Sequence, residues 1–155
     1  MDRREFAAAG LSAGLAMAAG SAMAQDRGAS KSAPHHVDKA SEACARACSD
    51  CQRECNACST HCAHEVHAGH HAHMTTLMTC QDCADFCAAA SQIVARGGPF
   101  AALICQSCAE ACDRCGKECA KFPDDKHMQR CADECRKCEK ACREMVAHAG
   151  PSSGK

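Results

Sequence analysis

The chain has 155 residues, a length suited to one domain, with 18 cysteines, four phenylalanines and neither tryptophan nor tyrosine. Alanine and cysteine make up much of its 46% hydrophobic content, so a core of large aliphatic side chains is excluded. A formal net charge of -1 leaves no strong field for nucleic acid or an anionic membrane, and no stretch reads as a mature transmembrane span.

The first segment reads as an address. Arg3-Arg4 followed by Glu5-Phe6 resembles a twin-arginine export signal. A mild apolar stretch runs from Ala7 to Ala19, and Ala22-Met23-Ala24 fits a cleavage site. These features predict a leader over 1–24, export by the twin-arginine route and a periplasmic location. Such a route carries proteins already folded, which suits a thiol-rich chain bound for an oxidising compartment. Residues 25–37 read as a flexible polar tether.

Four helices are predicted over 38–149. The first runs from Asp38 to Ala68, with Asp38 or Ser41 as N-cap. Gly69 and its histidine-rich surroundings break the chain. The second runs from His73 to Arg96 and stops at Gly97-Gly98-Pro99. The third runs from Pro99, placed in its first turn, to Lys121. Phe122-Pro123-Asp124-Asp125 separates it from the fourth, which Asp124 caps and Gly150-Pro151 ends. A flexible tail occupies 150–155. Short connections between long helices make antiparallel neighbours, so the fold class is all-α, an up-down-up-down four-helix bundle.

The cysteines carry the chemistry. They fall at Cys44, Cys48, Cys51, Cys55, Cys58 and Cys62; then Cys80, Cys83 and Cys87; then Cys105, Cys108, Cys112, Cys115 and Cys119; then Cys131, Cys135, Cys138 and Cys142. Within each group the step is always three or four, which puts thiols on the face where a bundle normally places leucine or isoleucine. Eight C-x-x-x-C pairs result, joined into ladders by C-x-x-C steps. Thiolates at that spacing can share a small soft ion, and Cu(I) is the ion that thiolate and thioether favour. If each thiolate bridges two ions and each ion takes two thiolates, the chain holds roughly 18.

Other uses of cysteine compete with this one. As small core hydrophobes, eighteen of them would leave the core underfilled. Disulfides are the stronger alternative: pairs within one helix have poorly directed Cβ vectors, but bridges between helices would give a stapled structural protein. Four-thiolate zinc sites join knuckles or loops rather than continuous stripes. The ferredoxin-type run ending in Cys-Pro is absent.

Antiparallel topology also sorts the two ends. One collects His61, His64, His67, His70, His71, His73, Met74, Met78, His127 and Met128; the other collects Ile93, Val94, Phe100, Leu103, Ile104, Met145 and Val146. The first is expected to be a mouth through which Cu(I) passes, and the second an apolar floor.

With its C-x-x-C-x-x-x-C ladders, the Cys108–Pro123 segment and the final Cys131–Cys142 run, the sequence resembles the bacterial copper storage proteins over roughly 38–148. Those are four-helix bundles whose cysteine-lined lumen binds many Cu(I) ions. The resemblance implies all eighteen cysteines as lumen ligands. It implies loading ligands drawn from His61, His64, Met74, Met78 and Met128, a homotetramer of bundles, and release of copper to copper enzymes or chelators. The twin-arginine pair makes it similar to the exported branch. No catalytic constellation is present, so no enzyme activity is expected.

Overall fold

The structure, a computed structural model, describes residues 38–149. They form α1 (Lys39–His67), a 3-10 turn at His71–His73, α2 (Met74–Ala95), α3 (Ala101–Cys119) and α4 (Lys126–Ala149). The ends follow from local chemistry. Asp38 caps α1, its carboxylate accepting from the Ser41 backbone N–H at 2.8 Å. Gly69 takes φ +96°, where a side chain would be strained, and the chain folds back so that the His70 N–H reaches the Glu65 carbonyl at 2.9 Å. Gly97, at φ +60°, closes α2 in the same way.

Two boundaries differ from expectation. The cap of α4 is Asp125 rather than Asp124: its Oδ1 accepts from the backbone N–H of His127 at 2.8 Å and of Met128 at 3.2 Å. Two adjacent carboxylates offer the same signal, and only the second lies at capping distance from those donors. Pro99 precedes α3 instead of occupying its first turn, because Phe100 is the N-cap residue.

Each helix packs against two others: α1 against α2 and α4, and α3 against α2 and α4. The result is the antiparallel square ring that short connections require. The diagonal helices meet through sulfur at the centre. Cys44 on α1 reaches Cys105 on α3 at 3.7 Å, and Cys87 on α2 reaches Cys138 on α4 at 3.9 Å. Between α3 and α4 the backbones come close at Gly116, where an added Cβ would stand 3.3 Å from the Cβ of Cys135.

The outer faces are polar. Ion pairs one helical turn apart, such as Lys117–Asp113 at 2.7 Å and Arg143–Glu139 at 2.9 Å, lie on solvated faces where water screens them. The apolar floor is smaller than expected. Val94 is fully buried, and Ile93, Ile104, Met145 and Val146 pack on the core. Phe100 and Leu103, by contrast, are each 64% exposed. Leu103 lies two residues before Cys105, about 200° around the helix from the thiol face at 3.6 residues per turn.

Candidate metal centre

Every one of the eighteen cysteines is 1% exposed or less, and all are free thiols. The three-and-four rhythm therefore turns each stripe inward, and the four stripes merge into one column of sulfur. Near the floor Cys44, Cys105 and Cys142 meet, with Cys44–Cys142 at 3.9 Å. Higher up, Cys48 lies 3.5 Å from Cys142 and 3.7 Å from Cys138. In the middle Cys55 has four sulfur neighbours: Cys51 and Cys135 at 3.8 Å, Cys131 at 3.9 Å and Cys115 at 4.0 Å. At the other end Met128 closes the column, its Sδ 3.5 Å from Cys58 and 3.7 Å from Cys62.

These separations decide between two uses of the thiols. A disulfide needs about 2.05 Å between sulfurs. Two thiolates on one trigonal ion, at the roughly 2.3 Å of a metal–thiolate bond, stand about 4 Å apart. The column matches the second spacing, so the stapled-bundle alternative finds no support. Its sulfurs also form overlapping fours within 4.8 Å of one another, including Cys51, Cys55, Cys83 and Cys135, then Cys55, Cys115, Cys131 and Cys135, then Cys58, Cys80, Cys119 and Cys131. Cys55, Cys131 and Cys135 each belong to two of these groups. Shared corners are what bridging thiolates require, and isolated four-thiolate zinc sites do not share them.

Sulfur–sulfur hydrogen bonding splits the thiols into donors and acceptors. A hydrogen bond from Cys115 lowers Cys119 to about 6. One from Cys112 lowers Cys108 to about 2, against an opposing contribution from Cys138. Donation from Cys142 would lower Cys105, but its own bond to Cys44 and its burial outweigh that and hold it at about 12. Protons are thus shared between neighbours. The thiolate is the ligating form, so the thiols with lowered values are the ones readiest to take a metal.

The His/Met end is built differently from the sequence expectation. Met128 is fully buried on the column, and His61 is half-buried with Nε2 2.7 Å from Asp125 Oδ2. Burial pushes the Asp125 carboxyl up, but His61 and the two capping N–H groups outweigh it and hold the carboxyl below its usual range. Met74 and Met78 are 45% and 60% exposed, and His64 is exposed too. The structure does not bring these three to the column. In their place stand His73, 7% exposed and stacked on Phe122 at 3.9 Å, and half-buried His127, stacked on His61 at 4.8 Å. Stepping back from Cys80 by four and then three gives Thr76 and His73, both buried, so the phase of α2 already pointed to His73.

The sequence profile of the family described as Csp, copper storage protein, matches residues 15–147. The chain belongs to the copper storage protein family. A cysteine-rich Bacillus subtilis protein, YhjQ, is 40% identical over 111 residues, 72% of this chain and all of that one. A solved structure of the Cu(I)-bound copper storage protein BsCsp3 superposes with a TM-score of 0.65 at 40% identity, covering 70% of this chain and 99% of its own. A cytosolic copper storage protein from Streptomyces lividans, carrying five coppers, gives a TM-score of 0.64 at 33% identity over 70% of this chain and 92% of its own.

The comparison corrects the expectation of an exported, periplasmic protein: the Streptomyces lividans relative is described as cytosolic. Arg3-Arg4 and Ala22-Met23-Ala24 are short patterns around an alanine-rich stretch, and they specify little on their own. Free thiols also persist most simply where the compartment keeps them reduced. The leader at 1–24, the tether at 25–37 and the tail at 150–155 lie outside the described residues. No described helix is long and apolar enough to cross a membrane.

Proposed function

We propose that this protein stores and buffers Cu(I), holding many ions per chain as bridged thiolate clusters, and that it is a store and not an enzyme. The observation that carries this reading is the continuous column of eighteen buried, free thiols with sulfurs 3.5–4.0 Å apart across all four helices. The eighteen cysteines are the storage ligands. Met128 and His61 receive the metal at the histidine-rich end, with Met74, Met78 and His64 reduced to an outer approach.

Copper is returned to copper enzymes or chelators by ligand exchange at that same end. Self-association into the tetramer implied by the family resemblance would cover exposed Phe100, Leu103 and Phe86. Titration of the reduced protein with Cu(I) against a competing chelator tests the reading. Capacity is expected to approach about 18 ions, one per thiolate in a fully bridged cluster. Saturation at one or two ions, or a preference for zinc, overturns it.

A further inference from the structure

Three hydroxyl side chains are buried among the described residues: Ser41, Ser59 and Thr76. Two of them are satisfied. Ser41 donates to the Asp38 carboxylate at 3.2 Å, and Ser59 donates to the Asn56 carbonyl at 2.9 Å. Thr76, at 1% exposure the deepest of the three, has no hydrogen-bond partner for its Oγ1. A threonine inside a helix commonly donates back to the carbonyl four residues earlier. Thr60 and Thr79 do so, at 3.2 and 2.8 Å. For Thr76 that residue is Ala72, which lies in the 3-10 turn before α2. A buried hydroxyl without a partner costs stability, and folded proteins seldom keep one.

Its place on the helix says what the hydroxyl is kept for. Thr76 stands four residues before Cys80, one turn toward the rim on the same face of α2. The Cys80 sulfur lies 3.6 Å from that of Cys115 and 3.8 Å from that of Cys119. With Cys58, Cys119 and Cys131 it makes up one of the groups of four that can share metal. Beyond this group α1 and α4 continue toward the rim with the sulfurs of Cys62 and Met128, 3.7 Å apart. On α2 the next buried residue is Thr76, which presents an oxygen that can donate a proton.

We propose that Thr76 is a positioning residue of the copper store, its hydroxyl donating a hydrogen bond to the Cys80 sulfur when Cys80 is a metal-bound thiolate. This role rests on the storage reading. A neutral thiol is a weak acceptor, and Thr76 makes no bond to one here. An ionised acceptor binds a donor roughly twice as strongly as a neutral one, and the hydroxyl hydrogen turns to suit it. Such outer bonds orient a ligand and tune the metal it holds. Cu(I) itself favours sulfur over oxygen, so Thr76 acts through Cys80 and not on the ion. The hydroxyl is unsatisfied beside thiols and satisfied beside a thiolate, and so it favours the filled store.

The test compares Thr76→Val, which keeps the shape and removes the hydroxyl, with Thr76→Ser, which keeps the hydroxyl. Each is measured twice under anaerobic, reducing conditions: by denaturant unfolding of the apo protein, and by Cu(I) titration against a competing chelator. In Thr76→Val the two readouts are expected to move in opposite directions. The apo unfolding midpoint rises, because the orphan hydroxyl is gone. A subset of about four ions, one per thiolate of the Cys80 group, is held roughly tenfold more weakly than in the wild type. Total capacity stays the same. Thr76→Ser keeps the wild-type affinity for that subset, although loss of the methyl group lowers its apo midpoint.

A lowered apo midpoint in Thr76→Val, or failure of that variant to fold, would mean that the hydroxyl already has a partner and overturns the proposal. Unchanged Cu(I) affinity in Thr76→Val overturns it as well, since Thr76 would then only fill space. So does a Thr76→Ser protein that binds as weakly as Thr76→Val. A capacity lower by one ion in Thr76→Val also overturns it, because the oxygen would then be a ligand. The storage reading fails elsewhere, in a wild-type protein that saturates at one or two ions, and the apo unfolding comparison uses no copper.

Discussion

The Sγ atoms of Cys48 on α1 and Cys142 on α4 face each other across the bundle at 3.5 Å, the shortest cysteine–cysteine approach among the described residues. That is contact without a bond, since a disulfide needs about 2.05 Å. Protein purified anaerobically, then denatured without reductant, is expected to titrate close to eighteen free thiols. A count near zero would mean that a covalently linked bundle is the native form.

Cys55 touches four other sulfurs, more than a terminal ligand needs. Cys55→Ala should therefore lower Cu(I) capacity by about one or two ions, since one bridging thiolate serves more than one site. The apo bundle should lose about 1 kcal/mol, as expected for a small buried deletion. Parallel chelator titrations and apo denaturant unfolding check both halves, and an unchanged capacity would remove Cys55 from the ligand set.

Met128 and the pair Met74/Met78 separate a thioether on the column from two in solvent. Met128→Leu keeps the volume and costs less than about 1.5 kcal/mol of stability. It is expected to slow Cu(I) uptake in stopped-flow loading. The double substitution of Met74 and Met78 by Leu should leave the rate within about twofold, because exposed side chains off the column make no buried contact to lose. The opposite ranking would return loading to the outer methionines.

Proton release should accompany loading. Cys105, held at about 12, is protonated at neutral pH and must lose its proton to bind metal. Cys119, near 6, is already a thiolate there. Apparent Cu(I) affinity should thus fall as pH falls, most steeply below about 6 where Cys119 also takes up a proton.

For the apo fold the signs run in opposite directions. The depressed Cys119 stabilises above the ordinary thiol value of about 8.5 and loses that stabilisation as pH drops through about 6. The raised Cys105 stabilises below the ordinary value and loses its share only as pH climbs through about 12. Anaerobic loading in weak buffer with a proton indicator checks the release, and pH-dependent unfolding checks the signs.

The bundle and its sulfur core were legible because one residue type repeats at one spacing. Each three-or-four step fixes a phase, and four phased stripes have one shared interior. The rim was less legible because it was sorted by composition along the chain and not by angle around the helix. Met78 lies two residues before Cys80, about 200° away from the thiol face, while His73 lies seven before it and in phase. His127 lies four residues before Cys131 and so is in phase with the thiol face too, and the Asp125 cap fixes the first turn of α4 that carries it. The leader was read from a few residues that lie outside the described structure, and it is the periplasmic location inferred from them that the cytosolic relative overturns.

Gly116 carries no donor atom, yet it sets the distance between two rows of ligands. A methyl group there would press on Cys135 and part α3 from α4 by a few tenths of an ångström. Every sulfur gap between those helices would widen with it, so a hydrogen atom at this position acts as the calliper that keeps the bridges within an ion's reach.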